Sequence, residues 1–346
     1  MTPAMPPQTI VVYQQGLLSR LFGWLGWLGF FGCLAIILGM SITLSEYFDT
    51  TEGIEEKFVS GNSSLGADKV AILSIEGVIL EGDGFVKRQI DRIAQDDKVK
   101  AIVVRVDSPG GTVTGSDYML HHLDKLRKEK GIPLVVSMGS IAASGGYYVS
   151  MAVGDQKEVI FAEPTTTTGS IGVIIPHYDL SGLMARFDVK DDSIASHERK
   201  QMLSMTKPIS DEHRALIQHQ IDQMFGRFKS IIKEGRPVFK GDEAALDKLA
   251  TGEVFSADDA KKYGLVDRIG FIEDAIDRAI ELAKLNKDET RVVKFKRPTS
   301  LLDLYGGATA KAQPAGELLQ LLEFSAPRAW YLATSLPAIA TSRRAD

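Results

Sequence analysis

Short apolar runs alternate with stretches of helical periodicity through the middle of the chain. Residues 70–75, 100–106 and 133–138 are rich in Val, Ile and Leu and have the length of buried strands. Residues 86–95 have helical spacing, and a further helix is predicted to begin at a Thr114 cap. This alternation predicts an α/β fold with a parallel or mixed sheet, whose strands are joined by right-handed crossovers.

The same pattern continues through the second half of the chain. Strands are predicted over residues 159–161 and 171–175, with the threonine-rich loop 165–170 between them. The remaining predicted elements are a helix over 210–234, a short helix between a Ser256 cap and Gly264, a helix over 271–285 and a strand over 291–295. The helix over 210–234 carries a broad apolar stripe, which we interpret as a core-facing surface, with a subunit interface as the alternative.

The segment from residue 21 to residue 44 carries no charged side chain. As a helix that rises roughly 1.5 Å per residue, it is long enough to cross the ~30 Å hydrocarbon core of a bilayer. A buried core helix would be shorter, and a cleaved signal peptide would have a small-x-small site directly after the apolar run. We therefore predict one N-terminal transmembrane helix, an uncleaved signal anchor, and Arg20 favours a cytoplasmic N-terminus.

Changes in composition divide the chain into five predicted segments. They are a polar N-terminal segment (1–20), the transmembrane anchor (21–44), a linker (45–68), a folded domain (69–297), and a C-terminal tether and tail (298–346). In the tail, residues 317–324 predict a short amphipathic helix, which we hypothesise docks into a groove of a neighbouring copy. Trp330 and Tyr331 make the end of the tail apolar enough to require a docking surface.

Composition excludes several classes of function. The net charge is −5 and no basic stripe with interleaved aromatic residues is present, so nucleic acid is not predicted as a partner. The single cysteine, Cys33, lies in the predicted membrane segment, which leaves no intramolecular disulfide. The sequence contains no metal-ligand spacing and no Walker or Rossmann fingerprint, and we predict neither a metal nor a cofactor.

Ser144 lies where the predicted strand over 133–138 gives way to an apolar segment of helical character. A helix N-terminus presents free backbone N–H groups to whatever approaches it. Such a position suits a nucleophile whose reaction passes through an oxyanion. The structural alternative is that Ser144 only caps the helix, while the neighbouring glycines relieve a tight turn.

Three different chemistries are open to the region around Ser144. His177 is followed by Asp179, and with Ser144 they would make a Ser–His–Asp triad. Lys200 or Lys207 would act as the base instead, provided that burial lowers the pKa of the amine and keeps it neutral. In the third alternative there is no catalysis, and the glycines of the Pro-Gly-Gly turn hold a phosphate or thioester ligand.

Several motifs occur in a fixed order along the folded domain. They are Asp-Ser-Pro-Gly-Gly (107–111), Ala-Ser-Gly-Gly-Tyr-Tyr (143–148), Thr-Gly-Ser-Ile-Gly-Val (168–173), Ser-x-x-x-Lys (196–200) and a closing segment (252–270). Through them, the chain from about residue 70 to residue 285 resembles the signal peptide peptidase A (SppA) family of membrane-anchored Ser–Lys proteases. The resemblance implies the α/β fold of crotonases and of the Clp protease, a superhelix of repeated ββα units.

The resemblance also implies a role for each matching residue. Ser144 is the expected nucleophile, Lys200 its general base, and Ser170 the residue that hydrogen-bonds the lysine amine and orients it. The expected oxyanion hole consists of the backbone N–H groups of Gly110, Gly111 and Gly145. The family architecture further implies a homo-oligomer, in which a neighbouring subunit can supply the base.

The chain departs from the family pattern at two places. Residues 153–157 form a slightly longer stretch between the second and third motifs, which is typical of a surface-loop insertion. His197 follows the serine of the fourth motif, where the family often has glycine, and the charged run that contains it would give Lys200 a more exposed setting.

The function implied is that of a membrane-bound serine endopeptidase that cleaves released signal peptides or other membrane-associated peptides. Its catalytic domain is expected on the periplasmic side of the cytoplasmic membrane. Three alternatives stay open: a catalytically silent membrane scaffold, a Ser–His–Asp hydrolase that uses His177, and a CoA-thioester enzyme on the same fold.

Overall fold

The computed structural model describes residues 17–48, 54–297 and 329–332. The chain divides into two compact units, Met1–Glu52 and Gly53–Asp346. The first contains helix α1 (Leu17–Phe48). Among the residues described, no helix combines the length and the apolarity that crossing a membrane requires, so the predicted transmembrane span is not confirmed.

A mixed sheet forms the centre of the second unit. The strands are β1 (Glu55–Gly61), β2 (Lys69–Glu76), β3 (Val99–Ser108), β4 (Gly110–Thr112), β5 (Leu134–Ala143), β6 (Ile160–Ala162), β7 (Thr167–Gly169), β8 (Val254–Ser256), β9 (Arg268–Ile269), β10 (Arg291–Lys296) and β11 (Trp330–Leu332). Across the main sheet the order is β1-β10-β2-β3-β5-β6-β9, with β7 paired to β5 and to β8, while β4 and β11 form a separate ladder. β1 lies within the segment whose composition indicated a linker.

Most of the main sheet is parallel. The pairs from β10 through to β9 and the pair β5–β7 are parallel, whereas β1–β10 and β7–β8 are antiparallel. This confirms the predicted α/β class with a mixed sheet, and it is consistent with a fold like that of crotonases and the Clp protease. The superhelix of repeated ββα units stays a prediction.

The helices that follow α1 are α2 (Gly84–Gln95), α3 (Val113–Lys130), α4 (Gly145–Ser150), α5 (Ser181–Arg186), α6 (Asp211–Gly235), α7 (Glu243–Leu249), α8 (Ala257–Lys262) and α9 (Ile272–Leu282). Short 3₁₀ turns lie at Met151–Val153, Glu198–Gln201 and Pro237–Phe239. α3 contacts both α2 and α4, and α9 packs on β3 and β5. The helices predicted over 86–95 and 271–285 are confirmed within a few residues.

The central strands are buried on both of their faces. Consecutive residues of β3 and β5, such as Val103, Val104, Val135 and Val136, are 0% exposed. Near-continuous apolar strands are what a parallel sheet covered on both sides requires. Since β3 and β5 are parallel neighbours, the turn after β3 and the residue after β5 lie at the same carboxyl edge, where ligands of such sheets bind.

Two local predictions are wrong. Thr112, not Thr114, caps α3, because its side-chain oxygen accepts a hydrogen bond from the Gly115 N–H at 3.0 Å. Residues 171–175 do not form a strand, since the ladder forms instead at β7, inside the predicted loop. Ser170 then adopts a φ of +51°, which is incompatible with continuing the strand.

Residues 172–227, which we call the exposed segment, include no buried residue. They comprise α5, the turn Glu198–Gln201 and the larger part of α6. The interpretation of the whole α6 stripe as core is therefore wrong. Only the end of the helix reaches the core, through Phe228, Ile231 and Ile232. The interface alternative for the rest of the stripe stays a prediction.

The C-terminal end of α6 is fixed to the sheet by an ion pair. The Arg236 guanidinium donates to Asp267 Oδ1 at 2.7 Å and to the Gly264 carbonyl at 2.8 Å. Asp267 Oδ2 in turn accepts the backbone N–H groups of Val159 and Ile160, each at 2.9 Å. One carboxylate thus joins the end of this helix to the start of β6.

Candidate active site

Ser144 connects β5 to α4 in a conformation that L-residues rarely adopt. Its φ is +54° and its ψ is −114°. The Ser144 N–H donates to the Gly169 carbonyl at 2.7 Å, and the Ser144 carbonyl accepts from the Tyr148 N–H at 2.8 Å. Such strain costs on the order of 1–3 kcal/mol and persists only where the surroundings impose it. A strained turn from strand to helix also presents the nucleophilic serine of α/β-hydrolases.

The hydroxyl of Ser144 is buried without a hydrogen bond. The residue is 1% exposed, and its Oγ has no partner among the described residues. A serine that served only as a helix cap would accept an N–H from the first turn of α4, and Ser144 does not. The capping alternative is therefore wrong. An unpaired buried hydroxyl costs about 1–3 kcal/mol, which is typical of a group kept for function.

Two glycines allow α4 to pack closely behind Ser144. A Cβ on Gly145 would lie 2.5 Å from the Ser116 hydroxyl oxygen, and one on Gly146 would lie 2.5 Å from the Ser108 carbonyl oxygen. No side chain larger than hydrogen fits either position without displacing a neighbour. The glycines therefore fix the distance between the Ser144 turn and the turn after β3.

Ser170 follows a strand that is the parallel neighbour of β5. The register pairs Ala143 with Gly169, so Ser144 and Ser170 leave adjacent strands at the same edge. Ser170 is 6% exposed, and its N–H donates to the Glu253 carbonyl at 2.6 Å. The structure thus brings together the two serines that the sequence predicted. The role of Ser170 in orienting a lysine stays a prediction.

The three glycines predicted for the oxyanion hole also lie together. A Cβ on Gly145 would be 3.0 Å from the Gly111 nitrogen, and a Cβ on Gly110 would be 2.7 Å from the Gly145 nitrogen. The Gly110 N–H donates to Ser108 Oγ at 3.1 Å, so this donor is already in use. Gly145 is the first residue of α4, and its N–H has no partner within the helix. The Gly145 N–H is therefore the donor best placed beside Ser144.

Lys200 is not part of this arrangement within one chain. It lies in the turn Glu198–Gln201 of the exposed segment, and its side chain is solvent-exposed. Because Ser144 Oγ has no hydrogen-bond partner, the Lys200 amine is not within bonding distance of it. The structure thus places the predicted nucleophile and the predicted base in different environments and does not join them.

The reserve candidates for the base are engaged elsewhere. Lys207 Nζ donates to Gln201 Oε1 at 2.6 Å and lies 3.6 Å from Asp191 Oδ2, so the amine is engaged within the exposed segment. His177 Nε2 lies 3.2 Å from the Ser204 carbonyl oxygen, with no bond to Ser144. The structure therefore does not assemble a Ser144–His177 pair either.

Sequence reasoning missed a polar network beside the Ser144 turn. Asp117 Oδ1 accepts the Tyr148 hydroxyl at 2.6 Å and the Arg227 guanidinium at 2.6 Å. Burial, and then the hydrogen bond to Asp117, raise the pKa of the Tyr148 phenol above its usual range. Tyr148 belongs to the second motif, but its partners are distant in sequence, so no local pattern could have revealed them.

The groups around Ser144 are hydroxyls, backbone N–H groups and aromatic rings. Over the part of the chain that the structure describes, no three His, Cys, Asp or Glu side chains are grouped so as to hold a metal ion. A buried hydroxyl on a strained turn, next to a free backbone N–H, can attack a carbonyl carbon and stabilise the resulting oxyanion. The arrangement is suited to acyl transfer once a base reaches it.

Comparison with known proteins agrees with this chemistry. Residues 126–286 match the model of peptidase family S49. The chain is 34% identical over 266 residues to a putative signal peptide peptidase SppA from Enterococcus faecium, an alignment that covers 73% of this chain and 74% of that protein.

Two further relatives are longer than this chain. Protease 4 from Salmonella typhi is 36% identical over 63% of this chain and 35% of its own length. The chloroplastic serine protease SPPA of Arabidopsis thaliana is 31% identical over 70% of this chain and 37% of its own length. The chain therefore spans little more than a third of these two relatives.

Proposed function

The chain belongs to peptidase family S49, the family of the SppA proteases, and we propose that this protease is a serine endopeptidase with a Ser–Lys dyad. Ser144 is the proposed nucleophile and Lys200 the proposed general base. The observation that carries the proposal is the Ser144 hydroxyl itself, which is buried, unpaired and held on a strained turn. The name of the Arabidopsis relative, a serine protease, supports the same reaction type.

In the proposed reaction the neutral Lys200 amine takes the proton of the Ser144 hydroxyl. The oxygen attacks the peptide carbonyl, and the N–H groups of Gly145 and Gly111 stabilise the oxyanion. The protonated lysine then gives its proton to the departing amine as the peptide C–N bond breaks. Water, deprotonated by the same lysine, hydrolyses the acyl-enzyme and restores Ser144.

A second copy of the chain is proposed to complete the site. Within one chain the Ser144 hydroxyl has no base within hydrogen-bonding distance, and the Lys200 amine has no buried environment. The exposed segment also presents large apolar side chains to solvent, among them Phe187 (73% exposed) and Ile194 (100% exposed). Large apolar side chains exposed within one segment support an interaction site there. Burial at a subunit contact would also lower the pKa of the Lys200 amine, as its role as a base requires.

The proposed substrates are released signal peptides and other membrane-associated peptides. The name of the Enterococcus relative, a putative signal peptide peptidase, supports this class. We also propose that the enzyme is attached to the membrane through residues 21–44, with the peptidase domain on the periplasmic side. The uncharged apolar sequence of that segment supports the membrane attachment, and Arg20 at its start supports a cytoplasmic N-terminus and therefore a periplasmic domain.

One observation favours a second candidate, a catalytically silent scaffold. Lys200 is exposed to solvent in the single chain and makes no hydrogen bond to Ser144. If no assembly buried it, Ser144 would have no base. The two candidates differ in a measurable property, the reactivity of Ser144.

The test uses the full chain in four versions: unchanged, Ser144→Ala, Lys200→Ala and Lys207→Ala. Each is treated with a fluorophosphonate, which labels activated serines, and with a quenched apolar peptide. We expect labelling and cleavage by the unchanged and Lys207→Ala proteins only. An unchanged protein that is assembled yet neither cleaves nor labels at any pH would support the scaffold.

A mixing experiment tests whether the site is shared. Ser144→Ala and Lys200→Ala subunits are each inactive, but after dissociation and reassembly together some sites combine the intact serine of one with the intact lysine of the other. Random mixing of equal amounts would restore about a quarter of the sites. If both residues belonged to one chain, mixing would restore nothing.

A further inference from the structure

Strand β5 changes partners shortly before the chain reaches Ser144. Its residues 136–138 pair with β6, whereas its residues 141–143 pair with β7. The change takes place over residues 139–140, which pair with neither strand. The course of the chain through these residues therefore determines where Ser144 lies relative to β7.

The register between β5 and β3 shifts at the same place. The register pairs that flank the shift are Val106–Met138 and Ser108–Ala142. Between them β3 has a single residue, Asp107, whereas β5 has residues 139–141, which we call the β5 bulge. Extra residues on one of two paired strands bend that strand and change the direction of the side chains that follow. The β5 bulge therefore helps to set the direction in which Ser144 leaves the sheet.

The carboxylate of Asp107 bonds to the β5 bulge at two points. Its Oδ1 accepts the Ser140 hydroxyl at 2.6 Å and the Ile141 N–H at 3.2 Å. Gly139 leaves room for this carboxylate, because a Cβ there would lie only 3.1 Å from Asp107 Cγ. Asp107 begins the first sequence motif, yet the proposed reaction gives it no step. Its side chain bonds to residues of β5 that the register with β3 leaves unpaired.

Two buried threonines hold β5 from its other side. Thr166 Oγ1 donates to the Gly139 carbonyl, and Thr168 Oγ1 donates to the Ala142 carbonyl, each at 2.6 Å. These hydroxyls bond to carbonyl groups, whereas Asp107 accepts from an N–H and from a hydroxyl. The β5 bulge is therefore fixed from both neighbouring strands, and Asp107 provides the side-chain contact from β3.

We propose that Asp107 is a positioning residue for the peptidase reaction, which holds the β5 bulge and thereby fixes Ser144 beside the Gly145 N–H. The strained φ of Ser144 persists only where the surroundings impose it, and the β5 bulge lies immediately before it. Misplacing a reacting group by about 1 Å costs on the order of 10²-fold in rate. The inference rests on the proposed function for the role of Ser144 as nucleophile.

The test measures kcat, KM and the rate of fluorophosphonate labelling for variants of the full chain. Asp107→Ala should lower kcat and the labelling rate about 30-fold or more, with KM changed less than about threefold, because the substrate does not contact Asp107. Asp107→Asn should stay within about threefold of the unchanged protein, since an amide oxygen accepts the same two hydrogen bonds. If Asp107→Ala does not fold, Ser140→Ala removes one of the two bonds and should lower kcat about threefold to tenfold.

Asp242→Ala is the matched control for the loss of a carboxylate that accepts a backbone N–H. Asp242 accepts the Ala245 N–H at 2.9 Å at the start of α7. The thermal midpoint of this variant should fall by an amount similar to that of Asp107→Ala, but its kcat should stay within about twofold of the unchanged value.

Hydrogen exchange provides a readout that does not require activity. Asp107→Ala should increase the exchange rate of the Ile141 amide about tenfold or more, because its N–H loses its acceptor. Asp107→Asn should leave that rate within about threefold. The Val136 amide, which donates to the Val159 carbonyl before the β5 bulge, is the internal reference and should not change.

The outcomes separate this inference from the proposed function. In an active protein, a kcat retained by Asp107→Ala, or a loss that Asp107→Asn or Asp242→Ala shares, would overturn the role of Asp107. An unchanged exchange rate of the Ile141 amide in Asp107→Ala would overturn it whatever the activity. Faster exchange in a chain that never cleaves or labels would leave the placement of Ser144 by Asp107 standing and overturn the peptidase function. Faster exchange with a loss of kcat that asparagine restores supports both.

Discussion

Ser144 and Lys200 lie in regions of opposite physical character. Ser144 is enclosed by packed strands and helices, and the residues of α4 that follow it are all buried. Lys200 lies in the exposed segment, where apolar side chains face solvent. The conformation of the first region is fixed by contacts within one chain. In the second region, large apolar side chains are left without such contacts. The proposed nucleophile is therefore positioned by contacts within one chain, whereas the proposed base would need a further contact to bring it to Ser144.

The largest expected effect compares two lysines of the exposed segment. Lys200→Ala should reduce kcat by about 10²–10⁴-fold if the lysine is the general base. Lys207→Ala, the matched control, should retain most of the activity, because the Lys207 ammonium is paired with Gln201 and Asp191. Thermal unfolding of both variants should match that of the unchanged protein. A drop in activity for Lys207→Ala alone would reassign the base.

Two isoleucines test the difference in burial directly. Ile102 in β3 is 0% exposed and Ile194 is 100% exposed. Ile102→Ala should lower the free energy of unfolding by about 2–5 kcal/mol, because it leaves a cavity in the core. Ile194→Ala should change it by less than about 0.5 kcal/mol when denaturation is followed at high dilution.

The same two isoleucine variants also test whether the chain self-associates through the exposed segment. If a second copy covers the exposed segment, the effect of Ile194→Ala will grow with protein concentration, since association contributes to stability by mass action. Sedimentation of the variant should show a shift toward smaller species. A cost for Ile194→Ala as large as that for Ile102→Ala at every concentration would break the comparison, because it would place both residues in one chain's core.

Two glycines extend the comparison to the backbone. A Cβ on Gly145 meets the Ser116 hydroxyl at 2.5 Å, whereas one on Gly226, within α6, meets nothing within 4 Å. Gly145→Ala should displace the N–H beside Ser144 and reduce kcat by about 10²-fold, with KM nearly unchanged. Gly226→Ala should leave kcat intact and stabilise the helix by about 0.5–1 kcal/mol. Steady-state kinetics and thermal melts distinguish the two.

The smallest expected effects concern pH and two carboxylates. Burial acts to raise the pKa of Asp96, but hydrogen bonds from Lys69 and the Lys98 N–H outweigh it, so the pKa is lowered overall. A lowered folded-state pKa contributes stability above the unfolded value of about 4, and that contribution is lost as the pH falls through the folded value. The free energy of unfolding of Asp96→Asn should therefore be lower than that of the unchanged protein at pH 7, and the difference should disappear at acidic pH.

Glu212 provides the exposed counterpart. Its pKa is also lowered, first by the hydrogen bond from Arg199, but both partners lie in the exposed segment. Solvent screens such a pair, so Glu212→Gln should not change stability measurably at any pH. Denaturant titrations of both variants between pH 3 and pH 7 check the contrast, and a pH-dependent loss in Glu212→Gln would show that this pair is buried in solution.

The parts of the site formed by local chemistry were predictable. The Asp107–Gly111 loop and the Ser144 turn each follow a predicted strand, so alternation of strands and turns was enough to place both at one edge of the sheet. Ser170 was expected only from the family resemblance, because β7, which precedes it, lies inside the loop predicted over 165–170. Thr112 was missed as the cap of α3 because β4, a strand of three residues, has no periodicity of its own.

Features that depend on distant partners were not predictable. The α6 stripe has core-like spacing throughout, yet only its end meets the sheet, and spacing does not report which contacts a chain makes with itself. The tail was expected to need a docking surface, but nothing in Trp330 or Tyr331 identified β4 as that surface. The helix predicted over 317–324 lies outside the described residues.

In mechanical terms α6 is a cantilever. Its length is about 37 Å at 1.5 Å per residue. The ion pair between Arg236 and Asp267 fixes the C-terminal end of the helix to the start of β6, and the N-terminal part extends away from this support. Deflection of a clamped beam is greatest at the tip and vanishes at the support. The Phe228 ring and the Met224 carbonyl, which both contact Tyr331, lie closer to the support than the tip does, so a load applied at the tip displaces them less.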